Sequence, residues 1–140
     1  MGVFHNDGIK GFVLVTNGVL ATPVSRDQST VLGIYPPAPA TNALVLAGAS
    51  NYEDGKASGS LVRSYNLSAG TVADSFPGQE SSSGPLAIAD VHGTGNLDLF
   101  VGGRCIPGKW PAPASSLLFV IKPAIFRSTS PIRSPWQISV

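Results

Sequence analysis

Asp90 and Asp98 frame the segment DVHGTGNLD, with His92, Thr94 and Asn96 at the alternate positions between them. Alternate positions of a tight loop can turn oxygens inward onto one hard cation, and Gly93 and Gly95 permit backbone angles that other residues resist. The outline is that of a calcium loop. Other chemistry is thinner. Cys105 is the single cysteine, which excludes an internal disulfide and a thiolate cluster for zinc or iron and sulfur. His5 and His92 are too few for a histidine-rich metal centre. No G-x-S-x-G elbow occurs, and GTGNLD lacks both the strand-to-helix context and the lysine of a phosphate loop. Glu53 and Asp54 are adjacent carboxylates, but NYEDG reads as a solvated turn, and Asn66-Leu67-Ser68 fits the glycosylation acceptor pattern. An enzyme is therefore not expected.

The elements that position this loop read as β. Charged residues are only 12% of the chain while Gly numbers 16 and Pro 12, a balance of turns over long solvated helices. No run of apolar residues recurs at helical spacing. Phe12 to Thr22, FVLVTNGVLAT, places two β-rich runs about Asn17-Gly18 and predicts a hairpin. Thr30 to Tyr35 is a short apolar run, Pro36 to Pro39 is loop, and ALVLA at Ala43 to Ala47 predicts a strand buried on both faces. Leu61, Tyr65 and Leu67 mark a half-buried strand interrupted by Arg63, with a short strand near Thr71 to Ser75. Leu86 to Ala89 and Leu97 to Val101 predict a hairpin closed by the Asp90 loop, and Ser116 to Ile121 a last strand. On a strand, Cys105 would be buried as a small hydrophobe.

A shift of the chain by 54 residues places Leu32 on Leu86, Ile34 on Ile88, Asn42 on Asn96, Val45 on Leu99 and Gly48 on Gly102. Such a period of short strands suits propeller blades, small sheets that need neighbours on both faces. Rings use about four to eight blades, so two or three would leave sheet faces uncovered.

Net charge is +1, which gives no attraction for nucleic acid or an anionic surface. No apolar run approaches the roughly 18 residues of a membrane span. Met1 to Phe12 carries Asp7 and glycines where a signal peptide requires a basic end and an apolar stretch, so none is read here.

GPLAIADVHGTGNLDLFVGG resembles the FG-GAP or VCBS repeats of integrin-like β-propellers, whose loop usually reads close to DxDGDGxxDL. NYEDG followed by LVRSYNL, and PGKWPAPASSLLF, are similar to VCBS-containing proteins that often carry an ASPIC/UnbV domain, and VFHNDGIKGF is similar to the stretch that ends a blade in that group. The resemblance implies an all-β fold, an open fragment of two to three propeller blades built from short antiparallel strands. It spans residues 1–121, with repeat units at about 12–67 and 68–121, and leaves 122–140 as a divergent, disordered tail.

In that family the loops bind calcium, which fastens each blade's hairpin. Asp90 and Asp98 match the first and last carboxylates, and Asn96 the position that contributes a backbone carbonyl. His92 and Thr94 stand where the family has two more carboxylates, which implies calcium that is weakly bound or lost. In the first repeat Pro36, Ala38 and Ala40 occupy the ligand positions, leaving no site. The resemblance further implies a non-catalytic module for binding a protein or glycan, an extracellular or cell-surface setting for the intact protein, and self-association through uncovered sheet faces. The alternatives are a truncated remnant of a larger propeller protein, or the scaffold part of a propeller-containing enzyme.

Overall fold

The computed structural model describes residues 2–24, 26–35, 43–50, 60–74 and 76–120, and the backbone of 132–133. Among these residues the chain is all-β, with a single 3-10 turn at Val19–Ala21 and no α-helix. Ten strands form three antiparallel sheets. β1 (Phe4–Asn6) pairs with β2 (Phe12–Leu14) as a separate hairpin. β3 (Gln28–Ile34), β4 (Leu44–Ala49), β5 (Val62–Asn66) and β6 (Thr71–Asp74) follow one another across a second sheet. β7 (Ser83–Ala89), β8 (Asp98–Gly103), β9 (Leu117–Val120) and β10 (Ile132–Arg133) do the same in a third. Both larger sheets are thus up-and-down meanders in which every strand bonds its neighbour in sequence.

Period-two alternation explains which face is buried. Ile34 opposes Leu44 and Leu32 opposes Leu46 in one sheet; Ile88 opposes Leu99 and Leu86 opposes Val101 in the other. These eight side chains belong to, or pack against, a single apolar cluster that also takes in Val62, Leu117 and Phe119. Phe76, just beyond β6, meets the edge of the Phe119 ring at 5.1 Å between centroids. The residues related by the repeat, Leu32 with Leu86 and Ile34 with Ile88, therefore lie on faces that share one core.

Where β3 and β7 approach, the contact is polar. The hydroxyls of Ser29 and Ser83 lie 3.0 Å apart, and those of Ser50 and Ser82 also 3.0 Å apart. Ser83 Oγ donates to the Ala49 carbonyl at 2.8 Å, and Thr30 Oγ1 to that of Gly84 at 3.2 Å. Gly48 makes the close approach feasible, since a Cβ there would stand 2.7 Å from Ser29 Oγ. Short hydroxyls suit this seam because each satisfies a buried polar group with little volume.

Several expectations require correction. The hairpin about Asn17-Gly18 does not form. Phe12–Leu14 pairs backwards with β1, and Gly18, at φ +69°, precedes the 3-10 turn instead. A shift of 54 residues relates equivalent positions of β3 and β7, but β4 corresponds to β8 one residue further along, Leu44 to Leu99 and Leu46 to Val101. That single residue decides the face, because a one-residue slip in a strand turns every side chain over. The stripe of Leu61, Tyr65 and Leu67 does not describe β5 as half-buried, since Val62, Ser64 and Tyr65 are buried on its two faces while Leu67 is 41% exposed. Cys105 lies just past β8, free and half-buried, so the condition for its burial on a strand is not met. The proline loop at 36–39, the Glu53 and Asp54 turn and, apart from β10, the tail at 122–140 lie outside the described residues.

Candidate functional site

The Asp90 loop closes the β7–β8 hairpin, where the sequence places it. Ala89 pairs with Asp98, so both ends of the loop are fixed by the ladder. Gly93 and Gly95 adopt φ of +66° and +78°, conformations that cost a side-chain-bearing residue far more. With the backbone so turned, the Thr94 and Gly95 amides donate to Asp90 Oδ1 at 3.0 Å and Oδ2 at 2.7 Å. These two bonds, Gly95 first, lower the carboxyl pKa of Asp90 below its ordinary value, because they favour the ionised form.

Asp98 begins β8 on the side of the sheet that carries the exposed Phe100, yet it is only 1% exposed. The loop folds back over it. Its Oδ2 accepts the Val91 amide at 2.9 Å and meets His92 Nδ1 at 2.7 Å. Its Oδ1 is buried and has no hydrogen-bond partner among the described residues. Thr94 Oγ1 accepts from the Asn96 side chain at 3.3 Å and from its amide at 3.4 Å.

The five predicted ligands, Asp90, His92, Thr94, Asn96 and Asp98, therefore share one hairpin tip, but their donor atoms are directed at the loop itself. Calcium takes about six to eight oxygens. Here both oxygens of Asp90 serve backbone amides, one oxygen of Asp98 is engaged by an amide and an imidazole, and the Thr94 hydroxyl serves Asn96. Asp98 Oδ1 is the one carboxylate oxygen of the loop left without a hydrogen bond. No group of three or more His, Cys, Asp or Glu side chains that could hold a metal ion occurs among the described residues. As arranged, with an imidazole and a hydroxyl at two of its five positions and Asp98 Oδ1 as its one unengaged carboxylate oxygen, the loop offers calcium fewer free oxygens than the ion takes.

Two features escape reasoning from sequence. The His92–Asp98 contact is invisible to a reading that weighs His92 only as a ligand, although its two-position offset from Asp90 on a glycine turn was the available signal. Trp110 is 94% exposed on the loop after β8, where Lys109 is paired with Glu80 at 2.9 Å; its proline neighbours mark a loop but not this degree of exposure. No helix among the described residues is long and apolar enough to cross a membrane. No family model, no curated protein and no solved structure matches the chain.

Proposed function

We propose that this chain is a non-catalytic binding or adhesion module of the β-repeat kind, two blade-like sheets and part of a third in the manner of an integrin-like propeller. The observation that carries the reading is the sheet order: two successive four-stranded meanders whose first strands are related by 54 residues at the Ser29–Ser83 contact. Repetition of one small sheet builds surface rather than a pocket, and surface suits the binding of a protein or glycan. The resemblance to FG-GAP and VCBS repeats supports the same reading and an extracellular or cell-surface setting. Calcium at the Asp90 loop would take Asp98 Oδ1, which has no hydrogen-bond partner among the described residues, and would compete with two amides for Asp90.

The arrangement departs from a ring in one respect. Blades of a ring stack unlike faces, whereas here the faces related by the repeat meet in one core. On the opposite faces Val31 and Val72 of one sheet and Phe100 of the other are exposed, although Ala47 and Tyr65 beside Val31 and Val72 are buried, and the β1–β2 hairpin adds exposed Phe4, Phe12 and Leu14. Such faces recruit a neighbour, so self-association follows from the same reading. Size-exclusion chromatography with light scattering across a concentration series tests it. Mass rising with concentration is the expected result, and a sharp monomer at every concentration would sink the open-module reading.

A further inference from the structure

The resemblance calls for a cation that finds few free oxygens among the loop's donor atoms, and the same atoms show what stands in its place. A metal would tie the first and last carboxylates of the loop together. In this chain each is tied separately: Asp90 to the Thr94 and Gly95 amides, Asp98 to the Val91 amide and the His92 ring. We propose that His92 closes the Asp90 loop in place of a metal ion, an imidazole clasp that makes this hairpin tip independent of calcium.

The third loop position is where the geometry makes the exchange feasible. A carboxylate at this position would face Asp98 at the 2.7 Å of the present contact, a meeting of like charges that needs a cation or a shared proton between them. An imidazole reverses the requirement, since Nδ1–H donates directly to Asp98 Oδ2. The acceptor is buried while the ring is 41% exposed, so the ring reaches inward through Nδ1. A calcium ion drawing on Asp98 Oδ2 or on Asp90 would compete with this bond and with the two amides. The inference goes beyond the binding role proposed above and is independent of what the exposed faces hold.

The test combines three measurements on the full chain. Nitrogen-15 NMR of His92 reads the ring directly: a proton on Nδ1 is expected, and a bare Nδ1 overturns the clasp. Thermal melting of the unaltered chain in chelator and in excess calcium is expected to give the same Tm, whereas a saturable rise with calcium overturns it. In His92→Ala, amide hydrogen exchange at Val91 is expected to accelerate, with no recovery on adding calcium. Unchanged exchange would reject the proposal. Should His92→Ala fail to fold, the NMR measurement on the unaltered chain still decides.

Discussion

The β1–β2 and β5–β6 hairpins are built alike at their tips and fare differently along their strands. In each, an asparagine ends the first strand and accepts an amide from the turn, Asn6 from Gly8 at 3.0 Å and Asn66 from Ala69 at 2.9 Å. In each, a glycine at positive φ leads into the second strand, Gly11 and Gly70. The tip chemistry is local and needs nothing from the rest of the molecule. Burial is not local. β5 is held by β4 and buries Val62, Ser64 and Tyr65, whereas among the described residues β1 has only β2 and leaves Phe4, Phe12 and Leu14 in solvent. An isolated two-stranded hairpin is marginal on its own, so this apolar face marks a place where more protein is wanted.

Truncation at matched aromatic positions would sharpen this contrast most. Tyr65 is 2% exposed and Phe12 is 75% exposed. Tyr65→Ala is expected to destabilise the fold by about 3–5 kcal/mol, the range for a large aromatic lost from a core. Phe12→Ala should stay within about 0.5 kcal/mol, as for an exposed site. Urea denaturation of the two variants measures both, and equal losses would mean that the β1–β2 face is covered in solution. A related measurement follows self-association in the double variant Phe4→Ser with Phe12→Ser. Its expected outcome is a lower mass by light scattering with Tm nearly unchanged; an undiminished mass would move the interface to the Val31, Val72 or Phe100 faces.

A smaller effect separates the tips themselves. Asn66→Ala removes one turn bond at an exposed position and should cost about 0.5–1.5 kcal/mol, a net hydrogen-bond increment. Asn6→Ala should lower global stability by less, because a hairpin outside the core can fray without unfolding the rest. Hydrogen exchange at the Gly8 and Ala69 amides distinguishes local opening from global loss.

How much of this was legible beforehand depends on which interaction decides each element. The β7–β8 hairpin could be read because a polar glycine loop separates two apolar runs, and that signal is local. β1 could not, since Phe4-His5-Asn6 has no alternation of its own and is a strand only because Phe12–Leu14 pairs with it. Losing that partner left Asn17-Gly18 as the apparent turn. The 54-residue shift is visible in β3 and β7, but the single extra residue before β8 is not, because the unbroken apolar runs Leu44-Val45-Leu46 and Leu99-Phe100-Val101 tolerate either register. At the site, spacing alone puts the five loop positions on one hairpin tip. What spacing could not supply was direction: the carboxylates turn to amides and to the His92 ring.

The least expensive contrast to test is between a neutral and a charged acceptor at two tips. Asn66 accepts its turn amide through an uncharged side chain, while Asp90 accepts two through a carboxylate whose pKa is lowered chiefly by the Gly95 amide and then by that of Thr94. A group with a depressed folded pKa contributes order that is fully present above its unfolded value, 3.8 here, and is lost as pH falls through the lower folded value. Asp90 is fully exposed, so the consequence is confined to the loop. In an acid titration followed by NMR, the Thr94 and Gly95 amides should hold their shifts down to about pH 3.8 and move only below it, while the Ala69 amide at the Asn66 tip stays still over the same interval. Movement of the Thr94 and Gly95 amides above that value would mean that Asp90 is not their acceptor. The turn would then be held by its glycines alone.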